Sequence, residues 1–290
     1  MVSIMTLPRR AQVALNCTPY YHCISRCVRR AFLCGTDSYT GQDFEHRKQW
    51  VLDRIAEQST AFGIDVCAYA IMSNHFHLVI RVDLSRAKHW SDEEVIHRWT
   101  RLFKGPLLVQ QWLAGETLSP AQWDTVKAIA TVWRRRLTDI SWYMRCLNEH
   151  IARRANAEDD CTGRFWEGRF KSQALLDEAA LLACMAYVDL NPVRAGLATS
   201  LADSDFTSVQ QRVQGLPQVD SVEATDPRRE DCIGYRWRRL QATQPVDAGA
   251  DPRCPFGVVT TSGWWRQLAA WRYRVNGACY PRTVNRFSRD

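Results

Sequence analysis

The sequence predicts a mixed fold in which a strand, a helix and two more strands come first and helices dominate afterwards. The run PYYHCISR at 19–26 is short, aromatic and β-branched, which indicates a strand. Residues 64–72 and 76–82 indicate two further strands joined by a short polar turn. Between these strands, residues 43–62 carry apolar side chains at helical spacing. The early order is therefore strand, helix, strand, strand.

From Ser91 onward the pattern is mainly helical. Ser91 suits a helix N-cap, because three acidic residues follow it in the first turn. Further helices are predicted over 119–137 and 138–155, and a last one from Asp177 to Asn191, which Pro192 ends.

The last ninety residues, 201–290, are predicted to form a C-terminal extension. Segments 215–231 and 241–257 are rich in Pro, Asp and Gly and resemble linkers. The aromatic-basic clusters at 235–240 and 264–275 are candidates for nucleic-acid binding.

The composition favours a negatively charged partner such as nucleic acid. The net charge of the 290-residue chain is +7, and only five of its 38 basic residues are lysine. Arginine makes forked contacts with phosphate and stacks on bases, which suits nucleic acid. A GC-rich genome would give the same arginine excess, so charge alone does not decide.

Targeting and cysteine patterns predict a cytoplasmic protein with no membrane contact. No apolar run approaches 18 residues, and the N-terminus lacks a signal-peptide pattern. The 11 cysteines form no repeated CxxC pair, so reduced thiols are expected, with a zinc cluster as the less favoured alternative. No GxxxxGK[ST] motif is present, which disfavours a P-loop nucleotide motor.

The first candidate site is the His75-Phe76-His77 run. Alternation along a strand places both imidazoles on one face, with Phe76 on the other. Two such histidines make half a metal site, which serves Mg²⁺ or Mn²⁺ when an oxygen ligand joins. The alternative is two unrelated histidines, at the surface or packed inside.

The second candidate is the pair Tyr187 and Asn191, four residues apart on the last helix. Their phenol and amide project from the same helical face. If that face abuts the histidine strand, Asn191 can complete the metal site while Tyr187 addresses a phosphate. The alternative is a core aromatic at Tyr187 and a simple helix end at Asn191.

The third candidate is the block GRFWEGRFKSQ at 163–173, which interleaves cations with aromatic rings. Such a mixture is expected where cations meet phosphates and rings stack on unpaired bases. The alternative is an amphipathic strand with a charged outer face. The block contains Arg164, Phe165, Trp166, Arg169, Phe170 and Lys171.

Four segments, in order along the chain, resemble HUH-type single-tyrosine transposases, and most closely the REP-associated tyrosine transposases of bacteria. The segments are PYYHCISRCVRRAFLCG (19–35), AYAIMSNHFHLVIRVD (68–83), GRFWEGRFKSQALLDEAAL (163–181) and YVDLNPVRAGLA (187–198). The resemblance spans most of residues 17–200. It implies that His75 and His77 are the family's histidine pair, with Tyr187 as nucleophile and Asn191 as third metal ligand.

The same resemblance implies a fold and a domain plan. It implies an α+β fold, a ferredoxin-like antiparallel sheet with the histidine pair on a central strand and helices on one face. The catalytic domain would cover 17–200, with a helical insertion at about 84–160 that the compact family core does not need. For 201–290 it implies nothing.

The resemblance further implies the chemistry and the partners. A bound Mg²⁺ or Mn²⁺ would assist Tyr187 in cleaving hairpin-bearing single-stranded DNA, such as REP-like hairpins or element ends, through a 5′-phosphotyrosine. Because free tyrosine has a pKa near 10, its phenol needs activation, by the metal-bound phosphate or by nearby cations, for which Arg26, Arg169 and Lys171 are candidates. Homodimerisation is left open. The candidate DNA contacts are Arg26, Arg164, Arg169, Phe170 and Lys171.

Two nearby residues are left out of the predicted site. His22 is read as a satisfied structural histidine, and Asp189 should point elsewhere on its helix. Two rival functions stay open. One is a domesticated regulator that binds hairpin DNA or RNA without cutting it, and the other is a hydrolase in which water replaces Tyr187 as nucleophile.

Overall fold

The computed structural model describes residues 13–28, 33–36 and 41–214. The aromatic-basic clusters at 235–240 and 264–275 lie outside these described residues. Over the described ranges, no helix is both long enough and apolar enough to cross a membrane.

Four antiparallel strands form one sheet in the order β2-β3-β1-β4. The strands are β1 (Tyr20–Arg26), β2 (Ile64–Ile71), β3 (His75–Val82) and β4 (Lys171–Ala174). β3 is antiparallel to both β1 and β2, so the helix between β1 and β2 forms a crossover past β3. The strand order and directions confirm the predicted ferredoxin-like α+β fold, with the histidine pair on a central strand.

Two long helices, α1 (Arg47–Ala61) and α6 (Ile140–Glu158), pack along each other. Just past the end of α1, the Phe62 ring meets the Tyr143 ring edge to face, with 5.2 Å between their centroids. The Gln58 side-chain amide donates a hydrogen bond of 2.9 Å to the Tyr143 carbonyl. Apolar packing, this buried hydrogen bond and the ion pair between Arg47 and Glu158, at 2.6 Å, therefore join these two helices.

α6 meets the sheet on the face that carries Phe76. The Asn148 amide donates to the Ser25 hydroxyl of β1 at 2.8 Å, and the Trp166 indole donates to the Asn148 carbonyl at 2.7 Å. The Trp166 ring in turn lies edge-on to the Phe76 ring, 5.7 Å between centroids. Because side chains alternate along a strand, His77 faces the other side of the sheet.

Four further helices lie between β3 and α6. They are α2 (Leu84–Lys88), α3 (Asp92–Thr100), α4 (Leu107–Leu113) and α5 (Pro120–Arg136). The Trp99 and Trp133 rings stack 5.1 Å apart and join α3 to α5. The Arg134 guanidinium binds the Asp92 carboxylate at 2.6 Å, which adds an ion pair to this contact. As predicted, Ser91 caps α3, and its hydroxyl accepts the Glu94 N–H at 3.1 Å.

Within the described residues, which end at position 214, three helices follow β4: α7 (Glu178–Asp189), α8 (Asn191–Arg194) and α9 (Ser208–Gln214). α7 packs against β2 and β3. It begins at the Asp177 cap, whose carboxylate accepts the Ala180 N–H at 2.6 Å. α7 is the helix that carries Tyr187 to the sheet.

The segment leading into α9 covers the outer edge of β2. The Ile71 N–H donates to the Phe206 carbonyl at 3.2 Å, and the Tyr69 N–H donates to the Ser208 hydroxyl at 3.0 Å. An edge strand left bare would expose these backbone groups to unwanted pairing. The beginning of the C-terminal extension thus satisfies the edge of the sheet.

Candidate functional site

His75 and His77 turn their Nε2 atoms toward each other. The two atoms are 3.0 Å apart, and the rings are nearly perpendicular, at 79°. Two nitrogen ligands at about 2.1 Å from one octahedral cation, on neighbouring positions, would also be about 3.0 Å apart. The separation of the two nitrogens therefore fits a shared divalent cation.

The outer nitrogen of each histidine has its own partner. His75 Nδ1 lies 2.6 Å from the Asn74 side-chain oxygen. His77 Nδ1 lies 3.0 Å from His22 Nε2, and those two rings are nearly parallel, with 5.2 Å between centroids. Partners of this kind orient the imidazoles and select which nitrogen carries the proton.

All three imidazoles are neutral at pH 7. Burial lowers the pKa of His22 and of His75 to about 4 each, and it lowers the pKa of His77 well below its usual value. The neighbouring His75 ring lowers the pKa of His22 and His77 further, and Arg26 has the same effect on His75. A neutral imidazole keeps one lone pair free, as a metal ligand requires.

Tyr187 lies against this cluster. Its ring centroid is 5.8 Å from that of His77 and 6.4 Å from that of His22, in edge-to-face geometry with both. The Arg194 guanidinium carbon lies 5.1 Å from the centre of the Tyr187 ring. Sequence analysis missed Arg194, although its spacing of seven residues from Tyr187 puts it two helical turns further along the same side.

Asn191 stands at the first position of α8, one turn beyond Tyr187. Leu190, between α7 and α8, keeps helical backbone angles of −83° and −4°, so the direction of the chain persists. Asn191 Nδ2 is buried and has no hydrogen-bond partner. Since a half-turn of an amide exchanges its nitrogen and oxygen, the same position suits an oxygen ligand.

A metal site here would need a ligand beyond histidine, cysteine and carboxylate. Among the described residues, no group of three or more His, Cys, Asp and Glu is arranged to hold a metal ion. His22 directs Nε2 at the outer nitrogen of His77, away from the space that the pair shares. An amide oxygen from Asn191 remains the candidate third ligand, and this role stays a prediction.

Two cationic residues share the histidine face through strand register. Arg26 of β1 pairs with His75 of β3. On the other side of β1, Lys171 pairs with Ile24, which itself pairs with His77. The Arg26 guanidinium is also 3.9 Å from the Glu167 carboxylate. Register thus brings both cations to the edge of the site.

The block at 163–173 is amphipathic. Arg164, Arg169 and Lys171 are exposed. Phe165, Trp166 and Phe170 are buried, with Phe170 at 8% exposure. The charged outer face agrees with the alternative stated for this block, but only residues 171–173 of it lie in a strand, β4. Base stacking by Phe170 stays a prediction.

Asp189 connects the Tyr187 helix to α9. Its carboxylate accepts the Ser208 hydroxyl at 2.9 Å and pairs with the Arg212 guanidinium. Burial raises the pKa of Asp189, and Arg212 partly offsets this. The prediction that Asp189 points away from the metal site did not include this contact, since nothing in residues 201–214 signalled it.

Known proteins offer limited comparison. No protein-family profile matches the chain, and no curated protein does. A solved structure of a REP-associated tyrosine transposase bound to a REP hairpin is similar, with a TM-score of 0.41 and 13% sequence identity, over 72% of this chain and 88% of that one.

Proposed function

We propose that this protein is a metal-dependent tyrosine nuclease and strand transferase of the transposase type, acting on hairpin-bearing single-stranded DNA. One observation carries the proposal: the Tyr187 ring lies against His77, whose Nε2 faces His75 Nε2 at 3.0 Å. Metal-assisted phosphoryl transfer to a side chain requires a nucleophile close to the metal ligands, and Tyr187 meets this requirement. The four sequence segments that resemble HUH-type transposases include all three residues.

Each residue of the site would have its own role in the reaction. His75, His77 and Asn191 would hold Mg²⁺ or Mn²⁺, and a bound cation would supply Lewis-acid stabilisation of the phosphate charge. The Tyr187 oxygen would attack phosphorus, forming an O–P bond while the bond to the 3′ oxygen breaks. The phenolic proton ends, overall, on the released 3′-hydroxyl. The 5′-phosphotyrosine keeps an activated ester, so another 3′-hydroxyl can rejoin the strand without ATP.

Activation of the phenol is the next requirement, because tyrosine has a pKa near 10 in water. Arg194, at 5.1 Å from the ring centre, would favour the phenolate by its positive charge. Arg26 and Lys171 occupy register positions on the same sheet face and would hold the phosphate. Exposed Arg164 and Arg169 would extend the basic path for the DNA backbone.

The test is formation of a covalent adduct. Purified protein is incubated with single-stranded DNA carrying a hairpin and with Mg²⁺ or Mn²⁺, and a denaturing gel is examined for a protein–DNA species. We expect the adduct with the native protein, its loss on addition of EDTA, and a decrease of at least ~1000-fold in Tyr187→Phe. Tyr69→Phe is the matched control, because the buried Tyr69 hydroxyl has no hydrogen-bond partner.

The outcomes separate the rival functions. Cleavage that persists in Tyr187→Phe would show that water is the nucleophile. Tight hairpin binding with neither cleavage nor adduct, under both metals, would establish the non-cleaving regulator. An adduct in both Tyr→Phe variants would locate the nucleophile elsewhere in the chain.

A further inference from the structure

His22 is a buried polar residue without a role in the proposed reaction. It is 2% exposed, and its Nε2 is 3.0 Å from His77 Nδ1. Its ring is nearly parallel to the His77 ring, at an interplanar angle of 18°, with 5.2 Å between the two centroids. Burying an imidazole in a sheet-packed layer is unfavourable unless it makes a hydrogen bond, so this contact is the feature to explain.

The number of N–H donors and lone pairs in the three imidazoles limits the possible hydrogen-bond patterns of the cluster. Each neutral imidazole carries one N–H and one lone pair. With the Asn74 amide oriented as in the structure, its oxygen faces His75 Nδ1 and can only accept, so His75 donates from Nδ1 and keeps its Nε2 lone pair. His77 then has two choices, depending on which nitrogen carries its proton.

The two choices have different consequences. If His77 donates from Nε2 to His75, its Nδ1 accepts from His22, and the three rings form a closed chain that excludes a cation. If His77 donates from Nδ1 to His22, the Nε2 lone pairs of His75 and His77 both face the space between them. Only the second arrangement offers two ligands to one ion.

We propose that His22 is a positioning residue that accepts the Nδ1–H of His77 and thereby keeps the Nε2 lone pair of His77 directed at the cation shared with His75. This inference rests on the proposed function, because it assumes that the histidine pair binds a divalent cation. His22 itself is not a metal ligand, since its Nε2 contacts Nδ1 of His77, the nitrogen that faces away from His75. Partners in this position generally orient the ligand and raise its basicity.

The variants separate a hydrogen-bond role from a packing role. His22→Leu keeps bulk but removes the acceptor, and we expect Mn²⁺ affinity to fall about 10- to 100-fold. His22→Gln places an acceptor oxygen near the position of Nε2, and we expect affinity within about threefold of the native value. His150→Gln is the control, because His150 is a half-buried histidine of α6 and does not belong to the sheet that carries His22, His75 and His77.

Two measurements are needed, neither of which requires DNA cleavage. Mn²⁺ binding to the full chain is followed by electron paramagnetic resonance, with His75→Gln and His77→Gln defining the loss of the site. The proton position on His77 is read from ¹⁵N shifts of labelled histidine with Mg²⁺ bound. We expect Nδ1–H on His77 in the native protein and in His22→Gln, and a mixture of tautomers in His22→Leu.

The results distinguish the positioning role of His22 from the metal-dependent function of the protein. A folded His22→Leu protein with native Mn²⁺ affinity and an unchanged His77 tautomer would overturn the positioning role alone. Equal loss of affinity in His22→Gln and His22→Leu would also overturn it, because an acceptor would then not suffice. Native protein that binds no Mn²⁺ would overturn the metal-dependent function itself. If His22→Leu fails to fold, His22→Gln and the tautomer measurement still decide.

Discussion

The two faces of the sheet differ in chemistry and in exposure, because the Phe76 face of β3 is buried throughout while His75 on the other face is only partly buried. On one face Phe76, Leu78 and Ile80 of β3 are fully buried, and on the other His77 is fully buried too. Burial of the first face stabilises the fold, because it removes apolar surface from water. Burial of imidazoles opposes folding unless their polar atoms are paired, and their lowered pKa values record that cost. A buried polar cluster kept within an otherwise apolar layer is typical of a functional site.

The largest effect should come from breaking the apolar face. Phe76→Ala removes a ring that packs against Trp166 and should lower the free energy of unfolding by about 3–5 kcal/mol. Urea denaturation measures this loss. Leu182→Ala is the control on α7, where the side chain is 58% exposed, and it should change stability by no more than about 0.5 kcal/mol. A loss below about 1 kcal/mol for Phe76→Ala would contradict the packing described for this face.

A smaller effect is expected where α9 is tied to the Tyr187 helix. Arg212→Met leaves the partly buried Asp189 carboxylate without its cation and should cost about 1–3 kcal/mol of stability. We also expect slower adduct formation with unchanged Mn²⁺ affinity, because the change touches α7 and leaves the histidines intact. The double variant Asp189→Asn with Arg212→Met should recover part of the lost stability. Additive losses in that double variant would mean that the two side chains do not interact.

The smallest effect over the physiological range is the pH dependence of the metal-free protein. Histidine has a pKa of about 6.5 in an unfolded chain. In the folded protein His22 and His75 have pKa values of about 4. The unfolded chain therefore binds more protons between these two values, so stability should be fully present above pH 6.5 and fall progressively toward pH 4.

Thermal unfolding in EDTA at pH 8, 7, 6 and 5 measures this dependence. The variant carrying both His22→Gln and His75→Gln should show a flatter profile over the same range. A melting temperature that stays constant from pH 8 to pH 5 in the native protein would contradict burial of neutral histidines.

Local pattern predicted much of the fold. The strand runs agree with β1, β2 and β3, because period-two alternation and turn residues act over a few neighbours. Ser91 was recognisable as a cap for the same reason. The first helix begins at Arg47, four residues after the predicted start at Asp43, since helix ends depend on contacts that periodicity does not report.

Long-range contacts account for what the sequence did not predict. His22 and His77 are 55 positions apart, and Asp189 and Arg212 are 23 apart. Each pair meets only after the strands and helices have packed. The sequence likewise did not predict what covers the outer edge of β2, because the covering segment carries no periodic hydrophobic pattern.

Sequence by itself determined the alternation that puts His75 and His77 on one face and the four-residue interval between Tyr187 and Asn191, because both follow from the repeat of a single element. Tertiary structure alone decided that Tyr187 lies against His77, that His22 contacts the outer nitrogen of His77 and that Phe170 is buried. These contacts join separate elements, so they depend on how strands and helices pack together.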